Sequence, residues 1–164
     1  MFQTLAHFIY DVFSVFALYS TNTAQAIPNA TTTIINFEDE TLDPNNLVTT
    51  GASWKFTAQV AGQYYVCACV SLEASSGWGQ DEKMDIYLRK NGATYCTMCS
   101  QRGVGSGGSS FERSVNGGAL IYLQEDDYID ISCYQDSDNS LDLNGTTTDN
   151  WVTIVLVGRE FGAT

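Results

Sequence analysis

From Ile34 to Gly158 the chain alternates apolar and polar residues in short runs. Trp54 and Phe56 form one such run, and Tyr64, Val66, Ala68 and Val70 a second. Met84, Ile86 and Leu88 follow, then Leu120 and Tyr122, then Ile129, Ile131 and Cys133, and finally Val152, Ile154 and Leu156. A period of two places alternate side chains on opposite faces of a strand, so each run predicts a β-strand with one buried face. The runs are separated by turn residues: Asn45-Asn46, Ala61-Gly62, Asn91-Gly92, Gly103 to Gly108, Asn116-Gly117-Gly118, Asp126-Asp127 and Asn144-Gly145. Asn91-Gly92 is a strong type I′ hairpin signal. Seven or more short strands without an interior helical period predict an all-β fold, an antiparallel sandwich or jelly roll, over residues 34–164.

The first 20 residues follow another rhythm. Phe2, Leu5, Ile9, Val12, Phe16 and Tyr19 recur at helical spacing, with Gln3, His7, Asp11 and Ser14 on the opposite side. The segment is nevertheless rich in Phe, Ile, Val and Tyr, which favour extended backbone, so helix and extended arm both stay open. A secretory signal needs a basic start, and the first cation is Lys55. A membrane span needs about 20 apolar residues, and His7 and Asp11 interrupt this run. The segment is therefore expected to be a docking or oligomerisation arm, with Phe2, Leu5, Phe8, Ile9, Val12, Phe13 and Phe16 as its contact residues. The small polar stretch 21–33, containing Pro28, completes an arm-and-linker unit of residues 1–33.

Charge and chemistry narrow the function. With 7 basic and 19 acidic residues the net charge is -12, which repels nucleic acid and anionic membrane. One histidine, His7, lies in the arm, so a Ser-His-Asp or Cys-His centre is not expected. Cys96 and Cys99 form a C-x-x-C without the second pair that zinc would want. The Gly103–Gly108 run spells G-x-G-x-x-G but leads into another strand rather than a helix. The acidic groups around Asp127 and Asp138 lack calcium-loop spacing. The chain is thus expected to be no enzyme and to need no cofactor or metal. Tyr65, Cys67 and Cys69 alternate against Tyr64–Val70 and face away from the core, which fits a subunit interface or a strand covered by its own chain. Trp78, in a Ser-Gly-rich loop, is either a ligand-contacting aromatic or a side chain folded back over its own sheet.

Five segments in order carry a likeness: Ile35-Asn36-Phe37-Glu38; Trp54 to Val66 with Gly62 and Tyr64; Ile86 to Gly92; Leu123 to Ile129; and Trp151 to Gly158. Together they resemble the C1q/tumour-necrosis-factor-like jelly-roll head. Gln59 and Asp126 stand where that family has a proline and a glycine, and no collagen stalk precedes the head. The resemblance implies a homotrimer whose sandwiches pack side by side, and it does not fix one function. Heads of this type occur in bacteriophage virions. The expected role is a non-enzymatic virion protein, a trimeric capsid decoration (cement) protein holding the major capsid protein or another virion protein through its arm. The alternatives are the receptor-binding head of a tail fibre or spike, and a secreted C1q-like recognition trimer.

Overall fold

The computed structural model describes residues 15–75, 78, 81–103 and 111–159. Their strands are β1 (Phe16–Ser20), β2 (Ala26–Ile27), β3 (Thr33–Ile34), β4 (Asp39–Leu42), β5 (Val48–Thr49), β6 (Lys55–Thr57), β7 (Gly62–Ser75), β8 (Lys83–Lys90), β9 (Ala93–Arg102), β10 (Phe111–Leu123), β11 (Tyr128–Gln135), β12 (Leu141–Asp142) and β13 (Trp151–Arg159). Every pairing among them is antiparallel. One large sheet has the order β10-β7-β13-β1-β4 and a second the order β5-β6-β11-β8-β9, with β3 also on β11, while β12 and β2 pair in a small third sheet. The expected all-β antiparallel sandwich is the fold observed.

The alternation read from the sequence is the alternation that builds the core. Tyr64, Val66, Ala68 and Val70 of β7, Met84, Ile86 and Leu88 of β8, and Ile129, Ile131 and Cys133 of β11 all face inward and are fully buried. Trp54 closes one side of this core, edge-on to Phe37 at 5.3 Å between ring centroids and to Tyr19 at 6.3 Å. Such edge-to-face pairs satisfy the ring quadrupoles while burying large apolar areas. Gly117 of β10 is required where the two sheets meet at their edges. A Cβ there would stand 2.4 Å from the carbonyl oxygen of Met98 on β9.

The N-terminal reading needs correction. Residues 1–33 do not form a unit outside the sandwich, because their described part is built into it. Phe16 to Ser20 pair with Val155 to Trp151 of β13 on one side, and Leu18 to Ser20 pair with Leu42, Glu40 and Asp39 of β4 on the other. Val15, Ala17 and Tyr19 face the core. The helical spacing of the apolar residues misleads over 16–20, since β-branched and aromatic side chains beside an open edge of β13 gain a full hydrogen-bond ladder. Phe16 is therefore a sheet residue and not part of a free arm. Phe2, Leu5, Phe8, Ile9, Val12 and Phe13 lie outside the described residues.

The sandwich has two unlike ends. The entry end, where β1 begins, also holds the β8–β9 and β10–β11 turns. There Asn91 and Asp127, singled out in two separate sequence motifs, meet. The Asn91 side-chain amide donates to Asp127 Oδ1 at 2.7 Å, and its Oδ1 accepts the Tyr128 N–H at 2.9 Å. Asn91 and Gly92 have φ of 50° and 81°, as a type I′ turn requires. Asp127 Oδ2 also accepts Lys90 Nζ at 2.7 Å and the Gln124 N–H at 2.8 Å. The hydrogen bonds from Lys90, Asn91 and Gln124 hold the Asp127 carboxyl well below the usual range, at about 2. A carboxyl depressed in the folded state contributes stability above its unfolded value of 3.8 and loses that contribution as pH falls towards 2. Asp127→Asn is accordingly expected to lower the melting temperature by roughly 2–4 °C at neutral pH, with the gap to the unaltered protein closing as pH drops below 3.8. Thermal melts across that range check it.

Candidate functional site

The outer face of the five-stranded sheet is arranged in rows set by strand register. The first row is Leu120, Tyr65, Val155 and Phe16, side by side on β10, β7, β13 and β1. The second is Gly118, Cys67, Thr153 and Leu18, continued by Leu42 of β4. The third is Asn116, Cys69, Trp151 and Ser20, continued by Asp39 of β4. On β10, β7, β13 and β1 none of these residues carries a charge, although the chain's net charge is -12. The face grades from apolar near the entry end to amide, thiol and hydroxyl near the far end. Among the described residues the exposed large hydrophobics are Leu42, Tyr65, Tyr95, Leu120 and Val157. All lie towards the entry end of their strands, and Tyr95 of β9 reaches over the sheet edge so that its hydroxyl donates to the Leu120 carbonyl at 3.4 Å.

The structure brings Tyr65, Cys67 and Cys69 onto this face, as their alternation predicts, but exposes them unequally. Tyr65 is 42% exposed, Cys67 half-buried and Cys69 only 8% exposed. Tyr65 lies flat over Gly118, whose outward hydrogen leaves room for the phenol; a Cβ there would fall 2.4 Å from the Tyr65 oxygen. The neighbouring Cys67 thiol raises the Tyr65 phenol pKa. Burial pushes the Cys69 thiol up, against the opposing pull of a contact at 3.4 Å with the Ser114 hydroxyl. The Cys69 environment does not favour a thiolate nucleophile. Cys133 is buried in the core and its thiol is likewise pushed up by desolvation.

Trp78 is corrected as a ligand-loop residue. It is 2% exposed, and the Arg113 guanidinium carbon lies 4.0 Å from its ring centroid. Arg113, on β10, is itself 3% exposed, and its Nη1 donates to the Glu82 carbonyl at 3.2 Å. The indole has folded back over the sandwich because a buried guanidinium plane offers it a cation–π partner. Tyr87 stands on the outer face of the six-stranded sheet, where its hydroxyl donates to Asp85 Oδ2 at 2.8 Å. Asp85 feels burial, which disfavours its charge, but hydrogen bonds led by Lys83 at 2.7 Å outweigh that and lower its pKa. Asp130 is raised by burial despite Arg89 Nε at 3.5 Å. Among the described residues no group of three His, Cys, Asp or Glu side chains stands where it could hold a metal ion. Of the Gly103–Gly108 loop only Gly103 is among the described residues.

Sequence reading missed a groove of about 450 Å³ at the far end of the charge-free face. Its floor is Leu18 and Ser20 of β1 with Trp151, Val152 and Thr153 of β13, and its walls are Thr41, Thr147 and Thr148. The wall formed by 144–150 is fixed by the Asn150 amide on the Asn144 carbonyl at 2.6 Å and by Thr146 N–H on the same carbonyl at 2.8 Å. The signal was present as three consecutive threonines, Thr146 to Thr148, just before a strand-starting tryptophan.

This two-sheet sandwich matches solved structures in shape. It superposes on the Eiger TNF of S. frugiperda with a TM-score of 0.67 and 11% identity, over 92% of this chain and 96% of that one. The fold is the TNF/C1q jelly roll. The globular domain of the zebrafish complement 1qA protein matches with a TM-score of 0.60 and 17% identity, over 89% of this chain and 99% of that one. Murine APRIL gives 0.60 and 10%, over 87% and 98%. No family model matches the chain, and no curated protein sequence is significantly similar to it. At such identities the TNF/C1q likeness is one of fold, and residue roles come from the geometry above.

Proposed function

We propose that this TNF/C1q-fold chain is a non-enzymatic structural protein that self-associates as a homotrimer through the outer face of its five-stranded sheet. The observation that carries the reading is the charge-free face itself. In so acidic a chain, four adjacent strands present three rows without a charged residue, and the exposed Leu120, Tyr65 and Val157 lie together on it. A contiguous apolar patch of this kind marks an association surface. The patch also bends round the sheet edge through Tyr95, which suits a contact between unlike surfaces that closes into a ring better than one flat face meeting its twin.

Within that reading the protein decorates a virus capsid, three copies matching threefold or quasi-threefold positions of a shell and gripping it through residues 1–14. Two features support this orientation. The chain enters β1 at the end where the exposed hydrophobics of this face cluster, beside the Glu125–Asp127 turn, and the loops at the far end carry Asp81, Glu82, Asp136, Asp138, Asp142 and Asp149. A head held by its entry end turns an acidic, solvated end outward. The experiment is co-sedimentation with shells stripped of the native protein. A chain starting at Ala26 would lose β1, so the informative truncation removes residues 1–14 only. It is expected to stay folded and associated but to lose shell binding by about two orders of magnitude or more, as three linked contacts vanish together. Unchanged binding would remove the arm from the attachment.

A further inference from the structure

We propose that Asn144 is a site of spontaneous modification, at which its side-chain amide is lost and aspartate or isoaspartate takes its place. The chemistry is intramolecular. The backbone nitrogen of the next residue attacks the side-chain carbonyl carbon of the asparagine, and a five-membered succinimide closes. The side-chain nitrogen leaves as ammonia, taking the proton that the backbone nitrogen gives up. Solvent water then opens the ring at either carbonyl, so the net change is water in and ammonia out. The attack needs a following residue with no side chain in the way, an asparagine side chain that is not tied down, and a backbone free to turn. The chain has three Asn-Gly pairs, Asn91-Gly92, Asn116-Gly117 and Asn144-Gly145, and the structure separates them.

Two of the pairs are held. Asn91 donates its amide to Asp127 Oδ1 at 2.7 Å, and its Oδ1 accepts the Tyr128 N–H at 2.9 Å. Its own backbone N–H is bound to the Tyr128 carbonyl at 2.9 Å, and the Gly92 carbonyl accepts Arg89 Nη2 at 2.8 Å. Asn116-Gly117 lies inside β10, whose ladder with β7 continues on both sides of it, and the Met98 carbonyl backs Gly117. Asn144-Gly145 lies between β12 and β13, half-buried at Asn144 and exposed from Gly145 to Thr148. The Asn144 amide reaches Asp149 Oδ2 only at 3.4 Å. Among the described residues nothing accepts the Gly145 N–H. Opening an exposed loop costs far less than opening a ladder, so this pair reaches the reactive geometry most often.

What Asn144 holds gives the change a consequence. Its carbonyl accepts the Asn150 side-chain amide at 2.6 Å and the Thr146 N–H at 2.8 Å. Asn150, fully buried, in turn accepts the Ser71 N–H on Oδ1 at 2.9 Å and the Thr21 N–H on its carbonyl at 3.0 Å. Isoaspartate routes the backbone through the former side chain and displaces the carbonyl that Asn150 binds. Aspartate sets a second carboxylate against Asp149. Either product loosens the far end of the sandwich. The site does not need the self-association face open. Asn144 and Gly145 lie beyond the row that ends at Trp151 and Ser20, beside Asn22, whose carbonyl oxygen would stand 3.5 Å from a Cβ on Gly145.

The test ages the full chain at mildly alkaline pH and follows each Asn-Gly peptide by mass spectrometry, with fragmentation to tell isoaspartate from aspartate. Asn144 is expected to convert about tenfold or more faster than Asn91 and Asn116 in the folded chain, and at a similar rate to them in denaturant. Gly145→Ala is expected to slow the reaction several-fold while the protein stays folded, because the φ of Gly145 is outside the left-handed range and an added Cβ meets only ordinary contact. Asn144→Asp, which carries one product from the start, is expected to lower the melting temperature by roughly 2 °C or more. Leu120→Asp, altered only on the association face, is expected to leave the Asn144 rate unchanged. Equal rates at the three pairs in the folded chain overturn the proposal, and so does a Gly145→Ala chain that converts as fast as the unaltered one. A faster rate in Leu120→Asp would put Asn144 inside the self-association contact and overturn it too. An unchanged melting temperature in Asn144→Asp overturns the loosening.

Discussion

Leu120→Asp is expected to leave the protein folded but monomeric. The side chain is 58% exposed on the isolated chain, so no core contact is lost and the melting temperature of the monomer should change little. In an associated state the same position sits in the row Leu120, Tyr65, Val155 and Phe16, where an aspartate would be buried without a cation. Among the described basic residues, Lys83, Lys90 and Arg89 are engaged with Asp85, Asp127 and Asp130, and none belongs to this face. An unpaired buried carboxylate costs several kcal/mol, and a ring repeats it at every interface. Light scattering should report about three times 17.9 kDa for the unaltered chain and 17.9 kDa for the variant. A variant that remains trimeric would move the interface elsewhere, and a monomeric unaltered chain at micromolar concentration would end the trimer reading.

Trp78→Ala should destabilise the fold by about 3–5 kcal/mol, the range for deleting a buried tryptophan. The loss has two parts. The indole is 2% exposed, so its removal opens a cavity beside Arg113 of β10. It also uncovers Arg113, whose guanidinium faces the ring at 4.0 Å and whose pKa is already lowered by desolvation. Trp78→Phe keeps a ring over the guanidinium and should recover part of the stability. Denaturant unfolding checks both. A loss below about 1 kcal/mol for the alanine variant, the range of an ordinary exposed substitution, would return Trp78 to the role of a surface loop residue.

Much of the fold was legible. The alternation at Tyr64–Val70, Met84–Leu88 and Ile129–Cys133 is itself the partition into core and surface, and period two needs no tertiary information to be read. Asn91-Gly92 fixed its hairpin because a type I′ turn demands positive φ at both positions. The charge-free face was partly legible, since Tyr65, Cys67 and Cys69 follow from the inward set. Its extent was not, because the neighbours that complete it, Leu120, Val155 and Phe16, come from three other strands.

Sequence by itself determined the strands, their inward faces, the hairpin and the acidic character of the chain, because these depend on residues adjacent in the chain or on totals. Tertiary structure decided the rest. Residues 16–20 are a strand, whatever their helical spacing, because β13 and β4 offer edges on both sides. Trp78 is buried because Arg113, 35 positions later in the sequence, places a guanidinium beneath it. The groove exists because β1, β4 and the 147–148 loop converge on Trp151. Each of these depends on a register between distant segments, and register is fixed only when the sheets pair and pack, since a slip of one residue would turn every side chain of a strand to the opposite face.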